Sequence, residues 1–324
     1  MKPIVLTLVF LSMATGALAA DAGPPKWAYP LIPPAPAANP SAPAPPPDPT
    51  PRSVPNSNIK FAIAQIRDLY DVPDWHPDNH PPAPDVVLHG RQPGVLACGY
   101  CHLPNGQGRP ENAGLAGLPA AYILQQVSEF KSGARVSALP DMTPPKMMIG
   151  VAKLANDDEV RAAAEYFASL KFKPWIRVIE AKTVPKTKVA GAMYVPEDGG
   201  GMEPIGLRIV EVPEDVPRTE LRDSESGFIA YVPPGSLKRG EAIATTGGKN
   251  KVTPCVACHG ADLHGLGPVP PLAGRSPSYL MRQMYDLKHG SRAGAWSALM
   301  KGVVAKLDEA DMVAVAAYAS SRAP

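Results

Sequence analysis

All four cysteines of the 324-residue chain fall in two copies of one pattern, Cys98-Gly99-Tyr100-Cys101-His102 and Cys255-Val256-Ala257-Cys258-His259. Two thiols three positions apart on a helical turn can each add to one of the two vinyl groups of a porphyrin. The histidine that follows is then carried beneath the ring to coordinate iron. The spacing reads as two attachment sites for covalently bound haem c. Cys98, Cys101, Cys255 and Cys258 are the thioether donors, and His102 and His259 the proximal ligands. Other uses of paired cysteines fit less well. A four-cysteine zinc site does not require a histidine after each pair. A thioredoxin-like pair belongs near a βαβ pattern that neither motif shows, and cysteines this close make a poor structural disulfide.

One axial position remains on each iron, and methionine thioether is the ligand that raises the potential relative to a second histidine. Met300, just before Lys301-Gly302-Val303, is the candidate in the second copy, at the end of the loop leading to the closing helix. In the first copy Met142, Met147 and Met148 all lie in the corresponding loop. Matching Gly150 to Gly302 and Tyr166 to Tyr318 pairs Met148 with Met300. Matching the Val-Ala-Lys-Leu strings ending at Leu154 and Leu307 pairs Met147 instead. Two separated anchors outweigh one local string, so Met148 is favoured. His76, His80 and His89 lie upstream among prolines and read as surface groups rather than ligands. Two saturated irons leave no open site for a substrate, so the chain reads as an electron-transfer protein rather than an enzyme. The rivals are a cytochrome subunit of a dehydrogenase or reductase complex and a dihaem peroxidase, which needs a five-coordinate iron.

The elements that must hold these groups recur with them. At an offset of 157 residues, Leu115-Ala116-Gly117 matches Leu272-Ala273-Gly274, and Tyr122, Gln126, Lys131, Gly133 and Arg135 match Tyr279, Gln283, Lys288, Gly290 and Arg292. Apolar positions spaced as on one helical face follow each Leu-Ala-Gly triplet, and each helix is expected to stop at its glycine. Closing helices are expected over about 156–170 and 308–320, with acidic residues in their first turns. Ser236 is placed as the N-cap of an entering helix in the second copy, and Asp85–Leu88 is a short counterpart in the first.

Both copies resemble class I cytochrome c, over about residues 84–170 and 236–324. The order from Leu272-Ala273-Gly274 through Tyr279, Gln283 and His289-Gly290 to Met300-Lys301-Gly302-Val303 resembles the dihaem cytochrome c4 group. The resemblance implies periplasmic electron transfer with redox partner proteins: a terminal oxidase, a bc1-type complex or a dehydrogenase. It also implies a backbone carbonyl from a proline-containing loop orienting each proximal imidazole, with Pro110 and Pro268 as the positional candidates.

The remaining segments depart from that group. Lys2, the apolar run Ile4–Leu11 and Ala17-Leu18-Ala19-Ala20 have the layout of a secretory signal peptide cleaved near Ala19 or Ala20. Of 41 prolines, 14 fall between Pro24 and Pro55, which marks an extended tether; Trp27, Tyr29, Leu31 and Ile32 could dock on the body, but a disordered arm is the favoured reading. Between Lys173 and Gly235, Trp175–Ile179, Leu207–Val212 and Phe228–Val232 read as short strands of a small β-rich insert. The expected division is 1–20 signal peptide, 21–58 proline-rich arm, 59–172 first haem domain, 173–235 connecting segment and 236–324 second haem domain. The fold is mainly α. The formal charge of +2 is too small to argue for a nucleic-acid partner, and no segment of the mature chain approaches a transmembrane span.

Overall fold

In the computed structural model, residues 23–34 and 48–324 are described, so the leader expected at 1–20 lies outside the described residues. After a short α1 (Ile63–Ile66), the first copy comprises α2 (Asp85–Leu88), α3 (Cys98–His102), α4 (Ala120–Ser132), α5 (Thr143–Leu154) and α6 (Asp157–Ser169). The connecting segment contributes β1 (Ile176–Glu180), β2 (Thr183–Pro185), β3 (Thr187–Ala190), β4 (Met193–Pro196), β5 (Met202–Pro204), β6 (Val210–Pro213), α7 (Val216–Glu220) and β7 (Phe228–Val232). The second copy follows as α8 (Ser236–Asn250), α9 (Val256–His259), α10 (Pro277–His289), α11 (Ser297–Val304) and α12 (Glu309–Ser320). Among the described residues, no helix is long and apolar enough to cross a membrane.

The caps explain where the helices stop and start. α4 and α10 end at Gly133 and Gly290 with φ of 81° and 83°, a left-handed conformation that glycine adopts without a Cβ penalty. α6 begins with a capping box in which Asn156 accepts from the Glu159 amide, and α12 repeats it with Asp308 and Asp311. One cap departs from the expectation. Gly235, not Ser236, occupies the cap position of α8, and the Glu180 carboxylate at the end of β1 accepts from the Leu237 amide at 2.8 Å. The cap thus comes from another element, which a local pattern cannot register. The loops expected to carry the distal methionines are also helical. Pro144 and Pro145 sit in the first turn of α5, where a missing amide hydrogen is harmless.

Both copies close by packing their last helix on the preceding ones. In the first, Ile123 of α4 meets Ala164, Phe167 and Leu170 around α6. In the second, Met281 and Leu287 of α10 meet Met312, Val315 and Ala316 of α12. Gly240 brings α8 against α12 so closely that a Cβ there would overlap the Ala314 carbonyl.

The connecting segment joins these cores. β7 pairs parallel with β1 and antiparallel with β6, so all three strands expected from sequence lie in one sheet. The shorter strands form two antiparallel pairs, β2 with β5 and β3 with β4. Side chains alternate along β7, and Phe228, Ala230 and Val232 point inward, each at most 1% exposed. Phe228 packs with Trp175 in the core of the first copy, whereas Val232 and Ile209 pack in that of the second. The sheet is a shared wall.

The proline-rich arm is held at both of its described ends. Trp27 donates to Glu309 of α12 at 3.1 Å, the buried Tyr29 hydroxyl donates to Asp286 of α10 at 2.9 Å, and Arg282 donates to the Ala28 carbonyl at 2.9 Å. Further along, Arg52 pairs with Phe61 by an antiparallel bridge, and Val54 is buried with Ile66 and Trp75. Burial pushes the Asp286 carboxyl upward, and the Ala138 amide and the Tyr29 hydroxyl compensate by donating to it. Tyr29→Phe removes one of these donors while keeping the ring. The expected effect on the holoprotein is a loss of about 1–3 kcal/mol in guanidinium unfolding; an unchanged midpoint would mean that the arm rests on the surface without holding it.

Candidate haem sites

The two motifs form short helices, α3 and α9, each with its histidine at the last helical position. The His102 Nδ1 donates to the Ala113 carbonyl at 2.7 Å, and the His259 Nδ1 donates to the Pro270 carbonyl at 2.8 Å. A carbonyl only accepts, so Nδ1 carries the proton in both rings and Nε2 keeps a lone pair free for a metal. Burial lowers the pKa of both histidines against the opposing effect of these hydrogen bonds, which favours the neutral imidazole that ligation needs.

These acceptors correct the expectation of Pro110 and Pro268. Ala113 and Pro270 are related by the same offset of 157 residues as the motifs. The loop returns to the ring eleven residues after each histidine, beyond the prolines chosen from sequence. The Pro110 carbonyl is engaged instead by Arg282 at 2.5 Å.

In the first copy a cavity of about 160 Å³ opens beside the motif. Cys98, Cys101 and His102 line one side, and Met142, Met147 and Met148 of the α5 region line it as well. Val86, Leu118, Ile123, Val127, Phe130 and Phe167 supply apolar walls. In the second copy Met300 and Cys255 pack against one cluster with Met284, Leu287, Val304 and Met312. Burial pushes the Cys98 thiol up to about 12 and that of Cys255 to about 11. A redox C-x-x-C pair has its attacking thiol pulled down instead. Paired thiols, a tautomerically fixed histidine and a methionine around an apolar space suit a covalently held iron porphyrin.

The two methionine helices share one burial phase. Ala152 of α5 and Val304 of α11 are each 1% exposed, and Ala155 and Leu307 are both buried one turn later, all at an offset of 152 residues. Leu154, which the local string would pair with Leu307, is 54% exposed. In this phase Met148 matches Met300, and both are half-buried. The upstream histidines hold structural positions. His76 is buried and donates through Nε2 to Asp223 at 2.9 Å, His80 lies 3.1 Å from Asp74, and His89 pairs with Asp71 at the surface. Only His89 matches the surface reading made from sequence, because the partners of His76 lie in the connecting segment far along the chain.

A set of residues visible as repeats, but given no role from sequence, joins the sites. Arg135 donates to Gln126 of its own copy at 2.8 Å and to Tyr279 and Gln283 of the other at 3.0 and 2.8 Å. Arg292 does the converse, donating to Gln283 at 3.2 Å and to Tyr122 and Gln126 at 3.3 and 2.8 Å. The two arginines face each other across an antiparallel bridge, the Val136 amide donating to Ser291 and the Ala293 amide to Ala134. The arrangement has two-fold pseudosymmetry. Tyr279, Arg282, Gln283 and Asp286 of α10 thereby line the cavity of the first copy. Polar residues preserved at the repeat offset on otherwise apolar helix faces were the available signal.

Two repeats that each bring a C-x-x-C-H motif to a methionine-bearing helix within one small helical fold define a dihaem class I c-type cytochrome. No protein-family model matches the chain. Cytochrome c4 of Azotobacter vinelandii is 36% identical over 230 residues, covering 69% of this chain and 83% of that protein. A thiosulfate dehydrogenase electron acceptor of Thiomonas intermedia is 28% identical over 236 residues, 71% of this chain and 80% of that protein. Among solved structures, a thiosulfate dehydrogenase of Marichromatium purpuratum aligns with a TM-score of 0.46 and 27% identity over 71% of this chain, which spans 37% of that one. The chain belongs to the cytochrome c4 family. It carries two covalently bound haem c groups and transfers electrons with redox partner proteins.

Because Arg135 and Arg292 share acceptors, their contributions are coupled. In unfolding of the holoprotein, Arg135→Ala and Arg292→Ala are expected to be non-additive, with an interaction term of about 0.5–3 kcal/mol in a double-mutant cycle. Additive losses would mean that each arginine serves its own repeat alone.

Proposed function

We propose that residues 59–172 and 236–324 each hold one haem and that 173–235 connects them. Cys98 and Cys101, and Cys255 and Cys258, are the thioether donors; His102 and His259 are the proximal ligands; Met148 and Met300 are the distal ones. The shared burial phase of α5 and α11 is the observation that carries the methionine assignment. A haem bound here supplies an iron that cycles between ferric and ferrous states. The chain's own groups would supply its histidine and methionine ligands, fix the imidazole plane through the Ala113 and Pro270 carbonyls, and exclude water with apolar walls. A fixed ligand set leaves no position for a substrate and little to rearrange on reduction, which suits a carrier.

In this reading the leader at 1–20 exports the chain, and the protein works in the periplasm as electron acceptor of a dehydrogenase. The relative from Thiomonas intermedia, named a thiosulfate dehydrogenase electron acceptor, supports a dehydrogenase as donor.

Methionine sulfur on ferric haem gives a weak far-red charge-transfer band. Met300→Ala is expected to remove about half of it and Met148→Ala the other half, with a lower potential for each affected haem. Met147→Ala leaves the band intact. Loss with Met147→Ala and retention with Met148→Ala would exchange the two assignments. A wild-type band from one haem, with rapid reaction of the other iron with peroxide, would replace the carrier with a peroxidase.

Residues 236–324 carry 11 Lys or Arg against 6 Asp or Glu. A positive surface speeds encounter with an acidic partner and is screened by salt. The rate of reduction by the donor is therefore expected to fall as ionic strength rises from 10 to 200 mM, roughly the range over which screening takes hold; a salt-independent rate would remove the second unit as an electrostatic docking face.

A further inference from the structure

The loop at 221–226 of the connecting segment lies on the first haem motif, and the first haem domain clamps it. Trp75 donates to the Leu221 carbonyl at 2.8 Å, His76 to the Asp223 carboxylate at 2.9 Å, Asn105 to the Ser224 carbonyl at 2.8 Å and Gln107 to the Ser226 carbonyl at 3.1 Å. Arg218 closes the loop from within, donating to Asp223 at 2.7 Å. Together these contacts hold Arg222 in a left-handed backbone conformation, φ 60°, which a long side chain rarely adopts. Strain of this kind persists only where the surroundings over-determine it, and it clusters at functional positions.

The strained residue points its charge at the motif. The Arg222 guanidinium stacks on Tyr100, the residue between the two cysteines, with Cζ 3.8 Å from the ring centroid. Its Nε is buried without a hydrogen-bond partner. Burial and the charge of Arg109 lower its pKa to about 10, so it remains a cation at neutral pH. The neighbouring charges neutralise one another. Arg109 pairs with Glu111 at 3.1 Å, both 8% exposed, and Asp223 lies between His76 and Arg218. Arg222 itself makes no ion pair, and Glu111, already paired with Arg109, acts on it only as a neighbouring charge. At the second motif Ala257, Leu266 and Pro268 replace Tyr100, Arg109 and Glu111 at the repeat offset.

We propose that Arg222 is a potential-setting residue for the first haem: a partly buried cation, stacked on Tyr100 and outside any ion pair, that favours the ferrous form and raises the midpoint of this haem relative to the second. The sign follows from charge, since reduction removes one positive charge from the iron and a nearby cation favours that state, more so where water is excluded. The structural difference between two otherwise similar sites thus becomes a difference in driving force.

The proposal rests on the assignment of the first haem to Cys98, Cys101 and His102. The experiment is a spectroelectrochemical titration of the holoprotein, with the second wave identified by its shift in Met300→Ala. Arg222→Asn, chosen because asparagine tolerates left-handed backbone, is expected to move the first wave to lower potential and leave the second in place. Arg222→Lys, which keeps the charge, is expected to stay close to wild type. An unmoved first wave in Arg222→Asn with a native Soret spectrum, equal shifts of both waves, or a lysine variant as low as the asparagine one would each overturn it. Cys98→Ser with Cys101→Ser tests the underlying assignment separately: the first wave persisting there would sink the assignment, whereas its loss alongside an unmoved wave in Arg222→Asn would sink only the role of Arg222.

Discussion

The reciprocal pair of arginines between the repeats is the constraint around which the molecule is arranged. A buried guanidinium is tolerable only while acceptors surround it, and each arginine finds part of its set on the other repeat. The repeats must therefore meet in one register, with α4 and α10 facing each other. A wall of the first haem cavity then comes from the second repeat. Arg275 reinforces the contact by donating to the Gly114 and Ala116 carbonyls and stacking on Phe172.

Joining the repeats this way leaves a cleft that other parts of the chain fill. The three-stranded sheet contributes apolar residues to both cores, and Glu211 of β6 accepts from Ser276 and Ser278 at the start of α10. Burial pushes the Glu211 carboxyl upward while those serines oppose the shift. α10 is thus held at its first turn by the insert, along its length by the other repeat, and near its end by the arm. Its side chains reach the first haem cavity, so these restraints bear on the environment of a cofactor attached elsewhere.

Much of the proposed site is legible in the sequence because covalent attachment dictates spacing: two thiols and a histidine must fall within five residues. The repeat offset likewise made α4, α10 and both closing helices readable, since Gly133 and Gly290 are required by backbone conformation. The carbonyls of Ala113 and Pro270 were not legible, because a backbone acceptor has no residue signature. His76 and Arg222 escaped for another reason. Their roles depend on partners more than a hundred residues away, and locally one is a histidine among prolines and the other an arginine after a short helix. Sequence leaves two alignments open for Met147 and Met148, and Leu154 resembles Leu307 in type but not in exposure.

The docking of the arm orders events during biogenesis. Trp27 donates to Glu309, which is 282 residues further along the chain, and Tyr29 to Asp286, 257 further along. A polypeptide emerges N-terminus first, so these aromatic residues are among the earliest of the described chain to appear and must wait for helices near its end. Until then Trp27 and Tyr29 lack the surface that covers them. The arm therefore settles only after both repeats are in place, and a chain truncated within the second repeat would leave Trp27 and Tyr29 without their cover.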